Sequence, residues 1–228
     1  MTRKRIVVYG AGGHGKLVAD VLIAQGHSID GFVDDNPSRS GQIVLGLPVA
    51  LSQSLWQHAA QQPFSVVLGV GNNRARKKIA ERCAEAGIEI LTVIHPTAMI
   101  SKTASIGVGT AIMAGVVVNP DAHIGPGVIL NSGAVVEHDV VLGPYAHIST
   151  NAALGGGSAV GELSVVGVGA SMRPLARVGA AAIVGAGSVV IGDVPDGVVA
   201  RGVPARVVRE VSDPKEKTRT MAAQARGK

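Results

Sequence analysis

The sequence predicts a chain in two parts: a small α/β domain over residues 1–93, then a parallel β-helix of six-residue repeats over 94–209, with a mobile basic tail over 210–228. Three observations predict it. From residue 94 every sixth position is apolar: Ile94, Ile100, Ile106, Ile112, Val118 and Ile124 open a series that runs without a slip to Val190. With aliphatic residues at about a third of positions, chance would produce such a run with odds on the order of 10⁻⁸. Ahead of the series, short apolar runs alternate with helix-like segments. The composition supplies the third: 46% hydrophobic residues but only 2% aromatic ones, and 31 glycines, which suit a core of thin cross-section.

In chain order, "RIVVYG" is a strand-like run ending in glycine, and "GAGGHGKLVADVLIAQG" opens on glycines and continues with helical spacing. "SIDGFVDD" and "FSVVLGVG" are further strands. "NNRARKKIAERCAEAG" is a polar-faced helix with Asn at its start and Gly at its end, the residues that cap helices. "IEILTVI" is read as one more strand. Strand, helix, strand, repeated, implies a small parallel sheet.

A helix cannot keep a six-residue period on one face, and a plain strand repeats at two. Six fits a short extended run plus a corner, the aliphatic residue pointing into a narrow interior. Small residues recur four places on, as at Ala122, Ala134, Ala146 and Ala152. Glycine often follows the aliphatic residue, at Gly107, Gly125, Gly143 and Gly161 among others, and is expected to relieve strain at the bend. "GVPAR" at 202–206 is expected to close the last coil and cap its open edge.

The net charge of +5 is concentrated in the tail: residues 212–228 carry five basic and two acidic side chains. The remainder is near neutral and has no basic stripe interleaved with aromatics, which excludes a nucleic-acid partner. A single cysteine, Cys83, excludes an internal disulfide framework and fits a reducing compartment; the cytoplasm is the expected location. No apolar run is long enough for membrane insertion. No His/Cys cluster has metal-ligand spacing, so no metal is expected.

Two stretches carry chemistry. Gly10, Gly12 and Gly15 form G-x-G-x-x-G between a strand and a helix, with Asp34 and Asp35 ending the next strand. This is the dinucleotide fingerprint, in which glycines admit a phosphate and an acid holds a ribose hydroxyl. Fewer than 95 residues precede the repeats, too few for the two halves a dinucleotide needs. A half-Rossmann-like βαβ unit fits that length better, with an NAD-type protein the rival reading. The second stretch is "AVVEHDVVLGPYAHIS", residues 134–149, in which Glu137-His138-Asp139 interrupts small apolar residues and His147 follows nine positions later.

Together "GAGGHGK", "FVDD", "VGNNRARKKI", "VIHPTA", "VVEHDVVLGPYAHIS" and "GVPAR", in this order, resemble the left-handed β-helix acyltransferases of hexapeptide repeats. Within them they are similar to the branch of nucleotide-sugar N-acetyltransferases of UDP-N-acetylbacillosamine and GDP-perosamine biosynthesis and the sialic acid O-acetyltransferases. The resemblance covers residues 5–209. It implies an acetyl-CoA-dependent homotrimer, the co-substrate lying between neighbouring β-helices. It implies His138 as catalytic base with Asp139 beside it, and His147, Gly156, Val168 and Ala186 in contact with acetyl-CoA. It implies Gly12, Gly13 and His14 near the phosphates or sugar of a nucleotide-linked amino sugar, and Asp34 and Asp35 near the nucleoside.

About 18 residues per coil would set Gly156 one strand spacing, ~4.8 Å, from His138. A base and a bare backbone amide on one wall are what acyl transfer needs: the amine sheds a proton, and the oxygen that turns negative needs an N–H donor. Asp139 or Glu137 could orient the imidazole, and spacing alone decides neither. A solvated corner of polar residues is the plainer account of the triplet. Half a coil separates His147 from His138, so the two could share a site only across a subunit boundary. The expected activity is N-acetylation of a nucleotide-linked amino sugar in glycan biosynthesis. The alternatives are O-acetylation of sialic acid or another sugar, and an inactive scaffold.

Overall fold

The computed structural model describes residues 5–58 and 64–211. From Ser212 on, the expected basic tail lies outside the described residues. The α/β part begins with β1 (Arg5–Tyr9), α1 (Gly13–Ala24) and β2 (Gly31–Asp34), then β3 (Ile43–Val44), β4 (Leu47–Leu51), α2 (Ser52–His58), β5 (Phe64–Leu68), α3 (Asn73–Glu85) and β6 (Glu89–Ile90). Its sheet runs β3-β4-β2-β1-β5-β6, parallel except for the β3–β4 hairpin. That hairpin and α2 are the elements the strand–helix reading left unassigned. Leu45 and Gly46 turn the hairpin with φ of 50° and 76°. The start of α3 is capped as the sequence predicts, Asn72 accepting from the Ala75 N–H at 2.9 Å.

"IEILTVI" is two strands, not one. Ile90 pairs with Val66 of β5, whereas β7 (Val93–Ile94) pairs with Ala111 and Ile112 and opens the β-helix. Leu91 and Thr92 are the hinge where the chain leaves one sheet for the other. The strands β7 through β23 (Val189–Val190) are all two residues long and come every six. From β7 to β20 each pairs in parallel with the strand 18 residues on, and three stacked faces result. The eight-stranded face contains β7, the six-stranded face β8 (Met99–Ile100) and the five-stranded face β9 (Ser105–Ile106). The fold is the left-handed parallel β-helix.

The second residue of each strand points inward. Ile112, Leu130, Val136, Ile148 and Val166 are sealed from solvent, together with Ala122, Ala134, Ala146 and Ala152. One aliphatic and one small residue per side fill the prism, which is why rings are scarce. The glycines after the aliphatic residues act differently from expectation. A Cβ on Gly107 or Gly125 would strike the backbone of the coil above, so these positions need a bare Cα for close stacking. The left-handed bend falls two residues later, at Gly109, Gly115, Gly127 and their equivalents, and the series also includes Asp121, Asp139 and Asn151.

At the far end, β24 (Val198–Arg201) joins the eight-stranded face and β25 (Arg206–Glu210) turns back against it antiparallel. "GVPAR" is the turn between them, and its Gly202 and Ala205 bond to Val189 of the last coil. No helix among the described residues is long and apolar enough to cross a membrane.

Candidate active site

The glycine loop between β1 and α1 has the geometry its spacing demands. Gly10 sits at φ 105°, and a Cβ on Gly15 would run into the Gly10 carbonyl, so α1 can lie against β1 only if both are glycine. Gly12 caps α1 without a side-chain hydrogen bond, and around Gly12 and Gly13 there is open space. The first N–H groups of α1 are thus presented to a cleft of about 420 Å³. Gly12, Gly13, His14, Asp34 and Asp35 all line this cleft, as do Tyr9, Arg39 and Gly71. A smaller hollow of about 190 Å³ continues it past Tyr9 and Asp35 to Lys78 and Arg82.

Both acids are engaged. Asp34 Oδ2 accepts from the Ala11 N–H at 2.9 Å and Oδ1 from the Asn36 N–H at 2.9 Å. Asp35 Oδ1 takes the hydroxyls of Tyr9, at 2.6 Å, and Ser52, at 2.5 Å. Burial, then the bond to Asp35, pushes the Tyr9 hydroxyl up to about 12, so it stays a donor. Trp56 packs against Tyr9 with the rings tilted by 46°, the Arg82 guanidinium lies over the Trp56 ring at 4.1 Å from its centroid, and Cys83 is buried; Trp56 and Cys83 are packing residues of this domain.

The α/β domain grips the corner between the five- and eight-stranded faces of the prism. Arg76 of α3 is 1% exposed and has no carboxylate partner among the described residues. Its Nε donates to the Gly127 carbonyl at 2.7 Å and Nη2 to the Tyr145 carbonyl at 2.8 Å, while Nη1 reaches the carbonyls of Val70 and Gly71. Asn73 donates to the carbonyls of Leu163 and Ser164, and Lys77 pairs with Glu162 at 2.6 Å. Burial lowers the Arg76 guanidinium to about 10, still charged at neutrality. Arg76→Met would strand four carbonyl acceptors, and is expected to reduce stability by ~3–5 kcal/mol in urea unfolding. A loss below ~1 kcal/mol would show that the clamp contributes little.

Beside this clamp the structure brings His14 and His147 together, ring centroids 6.4 Å apart. His147 lies on β16 (His147–Ile148), on the eight-stranded face that the α/β domain covers. Burial first, then the Arg76 charge, lowers His147 to about 4; burial, His147 and Arg76 lower His14 to about 3. Both rings are neutral at physiological pH. Asn131 Nδ2 approaches His147 Nε2 at 3.4 Å, whereas His14 Nε2 is buried without a partner among the described residues.

His138 stands elsewhere. It occupies the turn between β14 (Val135–Val136) and β15 (Val141–Leu142), the corner joining the six- and five-stranded faces. Its neighbour Asp139 is in the left-handed conformation, φ 59°, which swings the carboxylate back toward the ring. Asp139 Oδ2 meets His138 Nδ1 at 2.7 Å. Spacing could not choose between the flanking acids because side chains diverge on extended backbone; the turn makes the choice for Asp139. That bond, opposed by slight desolvation and aided by the charges of Asp139 and Glu137, raises the His138 pKa above its ordinary value. With Nδ1–H given to Asp139, Nε2 is the free base. One coil on, a Cβ at Gly156 would lie 2.5 Å from Nε2 and 2.6 Å from Cε1. The Gly156 N–H has no acceptor among the described residues.

Val168 is 56% exposed and Ala186 is exposed too; they stack on successive coils at the third corner, where the Gly187 N–H bonds to the Val168 carbonyl at 2.8 Å. The structure therefore joins His14 to His147 and His138 to Asp139 and Gly156, and leaves these two clusters and the Val168–Ala186 corner on separate parts of one prism. His95 and His123 bond to Thr97 and Ser105 on the surface. Sequence reasoning missed Tyr9, Arg39, Ser52, Asn73 and Arg76. Only Arg76 left a signal, as a basic residue one helical turn into α3 on its apolar side. Among the described residues no cluster of three or more His, Cys, Asp or Glu could hold a metal ion.

Comparisons with known proteins agree on the family. Residues 5–83 match the PglD N-terminal domain. UDP-N-acetylbacillosamine N-acetyltransferase of Bacillus subtilis is 40% identical over 115 residues, 49% of this chain and 52% of that protein. The match thus spans about half the length of that curated relative. Among solved structures, PerB from Caulobacter crescentus in complex with CoA and GDP-perosamine is 41% identical with a TM-score of 0.84, covering 90% of this chain and 97% of that one. The acetyltransferase domain of PglB from Neisseria gonorrhoeae in complex with acetyl coenzyme A is 38% identical, TM-score 0.84, covering 90% and 100%. A nucleotide-type α/β unit on a left-handed β-helix with a histidine–carboxylate corner defines the class of hexapeptide-repeat acyltransferases. Within it, the chain belongs to the family of nucleotide-amino-sugar N-acetyltransferases.

Proposed function

We propose that this chain transfers the acetyl group of acetyl-CoA to the amino group of a nucleotide-linked amino sugar, of the UDP- or GDP-4-amino-deoxysugar type, in cytoplasmic glycan assembly. One observation supports this above the others: the His138 ring is fixed by Asp139 at Nδ1, keeps Nε2 free, and lies against the bare Gly156 of the next coil.

Acetyl-CoA supplies an acyl carbon activated as a thioester. The substrate amine attacks that carbon, and His138 Nε2 accepts the proton the amine loses, a role suited to an imidazole whose basicity the bond to Asp139 raises. The Gly156 N–H is the donor for the oxygen that gains charge, worth ~3–4 kcal/mol in comparable sites. Asp139 holds the tautomer and stabilises the imidazolium. The nucleotide sits in the cleft of Gly12, Gly13, His14 and Asp35. His147, Val168 and Ala186 line the path of acetyl-CoA.

The cleft lies in the α/β domain, which packs on the corner of Gly127 and Tyr145, whereas His138 stands on a different corner of the prism. A neighbouring copy must therefore bring its His138 to this copy's nucleotide, which supports the homotrimer. A sedimentation mass other than three chains would remove that part of the reading.

Thiol release from acetyl-CoA should depend on acceptor when UDP- and GDP-linked 4-amino sugars and sialic acid are offered in parallel. Acetylation of the amines alone bears out the proposal, and acetylation of the sialic acid hydroxyl alone replaces it. Consumption with no acceptor in the panel would sink both.

A further inference from the structure

Ala11 opens the glycine loop and is held from both sides. Its N–H donates to Asp34 Oδ2 at 2.9 Å, and its carbonyl accepts from Arg39 Nη1 at 2.9 Å. Arg39 Nε lies 3.7 Å from the same Asp34 oxygen. Two hydrogen bonds and one longer ion-pair contact link the three residues in a ring, and Ala11 within it is fully buried. Arg39 is itself fixed in place: it ends a short 3-10 turn, Pro37–Arg39, whose first residues are capped by Asn36 accepting from the Ser38 N–H at 3.0 Å.

Arg39 also lines the cleft, where among the described residues it is the only cation, facing two carboxylates and a neutral His14. A diphosphate entering a cleft that presents Asp34 and Asp35 alone would be repelled. With Arg39 beside Asp34, the charge of one carboxylate is matched and the guanidinium still has nitrogen atoms to offer. Asp34, for its part, has both oxygens occupied by Ala11 and Asn36. In the fingerprint a carboxylate in this region takes a ribose hydroxyl. Here Asp34 is spent on the loop, and Asp35, whose Oδ2 has no partner among the described residues, is the acid left for the ligand.

We infer that Arg39 is a positioning residue for the nucleotide: with Asp34 as its anchor it latches the Gly10–Gly15 loop into the shape that receives a nucleoside diphosphate. The inference rests on the reading of the cleft as the nucleotide site. Its consequences separate binding of the nucleotide from chemistry on the β-helix. Nothing in the latch touches His138, Gly156 or the corner of Val168, so acetyl-CoA handling should not sense its loss.

The test uses the full-length protein and calorimetric titration with GDP, UDP and CoA, followed by steady-state kinetics. Arg39→Ala is expected to weaken GDP or UDP binding by about 10- to 100-fold, the range for losing hydrogen bonds from a charged donor. The KM for the nucleotide sugar should rise in step, with kcat and the KM for acetyl-CoA little changed and the melting temperature kept. Arg39→Lys, which retains charge without the two-pronged fork, should recover only part of the affinity. Nucleotide affinity equal to wild type in Arg39→Ala overturns the latch while leaving acetyl transfer intact. A wild-type protein that binds neither GDP nor UDP overturns the cleft reading and the latch with it. A kcat loss with unchanged nucleotide affinity overturns the assignment of Arg39 to binding.

Discussion

His138→Ala should lower turnover by about 10²–10⁴-fold, the usual contribution of a positioned base, with no change in melting temperature. The folding part of this expectation follows from exposure: the His138 side chain is 62% exposed and, among the described residues, bonds only to Asp139, so its removal opens no cavity. The kinetic part follows from Nε2 being the free nitrogen of the ring. Asp139→Asn separates orientation from mere presence. Asp139 raises the His138 pKa, so in the wild-type protein the rate should climb with pH through a limb above the ordinary imidazole value. Removing the carboxylate lowers that pKa, and the limb should move to lower pH while the plateau falls. His14 and His147, at about 3 and about 4, are already deprotonated there and cannot supply such a limb. A pH–rate profile that does not move in Asp139→Asn would detach this carboxylate from the base, and undiminished turnover in His138→Ala would remove the base altogether.

Gly156→Ala is expected to cost about 10²-fold in turnover although it adds a single methyl group. The new Cβ would stand 2.5 Å from His138 Nε2, closer than carbon and nitrogen can approach, with backbone fixing one side of the contact. The exposed ring is the part that moves, and a displacement near 1 Å at a reacting group costs about that factor. Gly156 is outside the left-handed positions, so alanine brings no backbone strain and the coil should remain folded. The double variant provides the control. Combined with His138→Ala, the same substitution should add little, because no ring remains to be displaced. Additive losses in the double variant would place the effect of Gly156 outside the His138 contact.

Much of this molecule was legible before any coordinates. A six-residue period leaves so few backbone solutions that Ile94 to Val190 predicted the stacked coils, and Gly10, Gly12 and Gly15 predicted a tight strand-to-helix turn. The glycines were assigned the wrong reason in the coils: Gly107 and Gly125 are required by contact with the next coil, whereas the positive φ falls at Gly109 and Gly127. A period identifies that glycine is needed, but not whether space or torsion demands it. "IEILTVI" was legible as extended and illegible as two strands, because both halves are apolar and only their partners differ.

The site divides the same way. Local pattern alone determined that a histidine flanked by acids sits on a coil corner and that a bare amide lies one coil away, since both depend on residue spacing in a repeat. Tertiary structure decided which acid serves the ring, through the left-handed turn at Asp139. It also decided that His14 meets His147, and that Arg76 and Arg39 fasten one domain and one loop. Those contacts join residues far apart in the chain, from His14 to His147 and from Arg76 to Tyr145. Periodicity carries information only along a segment, whereas a buried cation or a paired imidazole is specified by what folding brings to it from elsewhere.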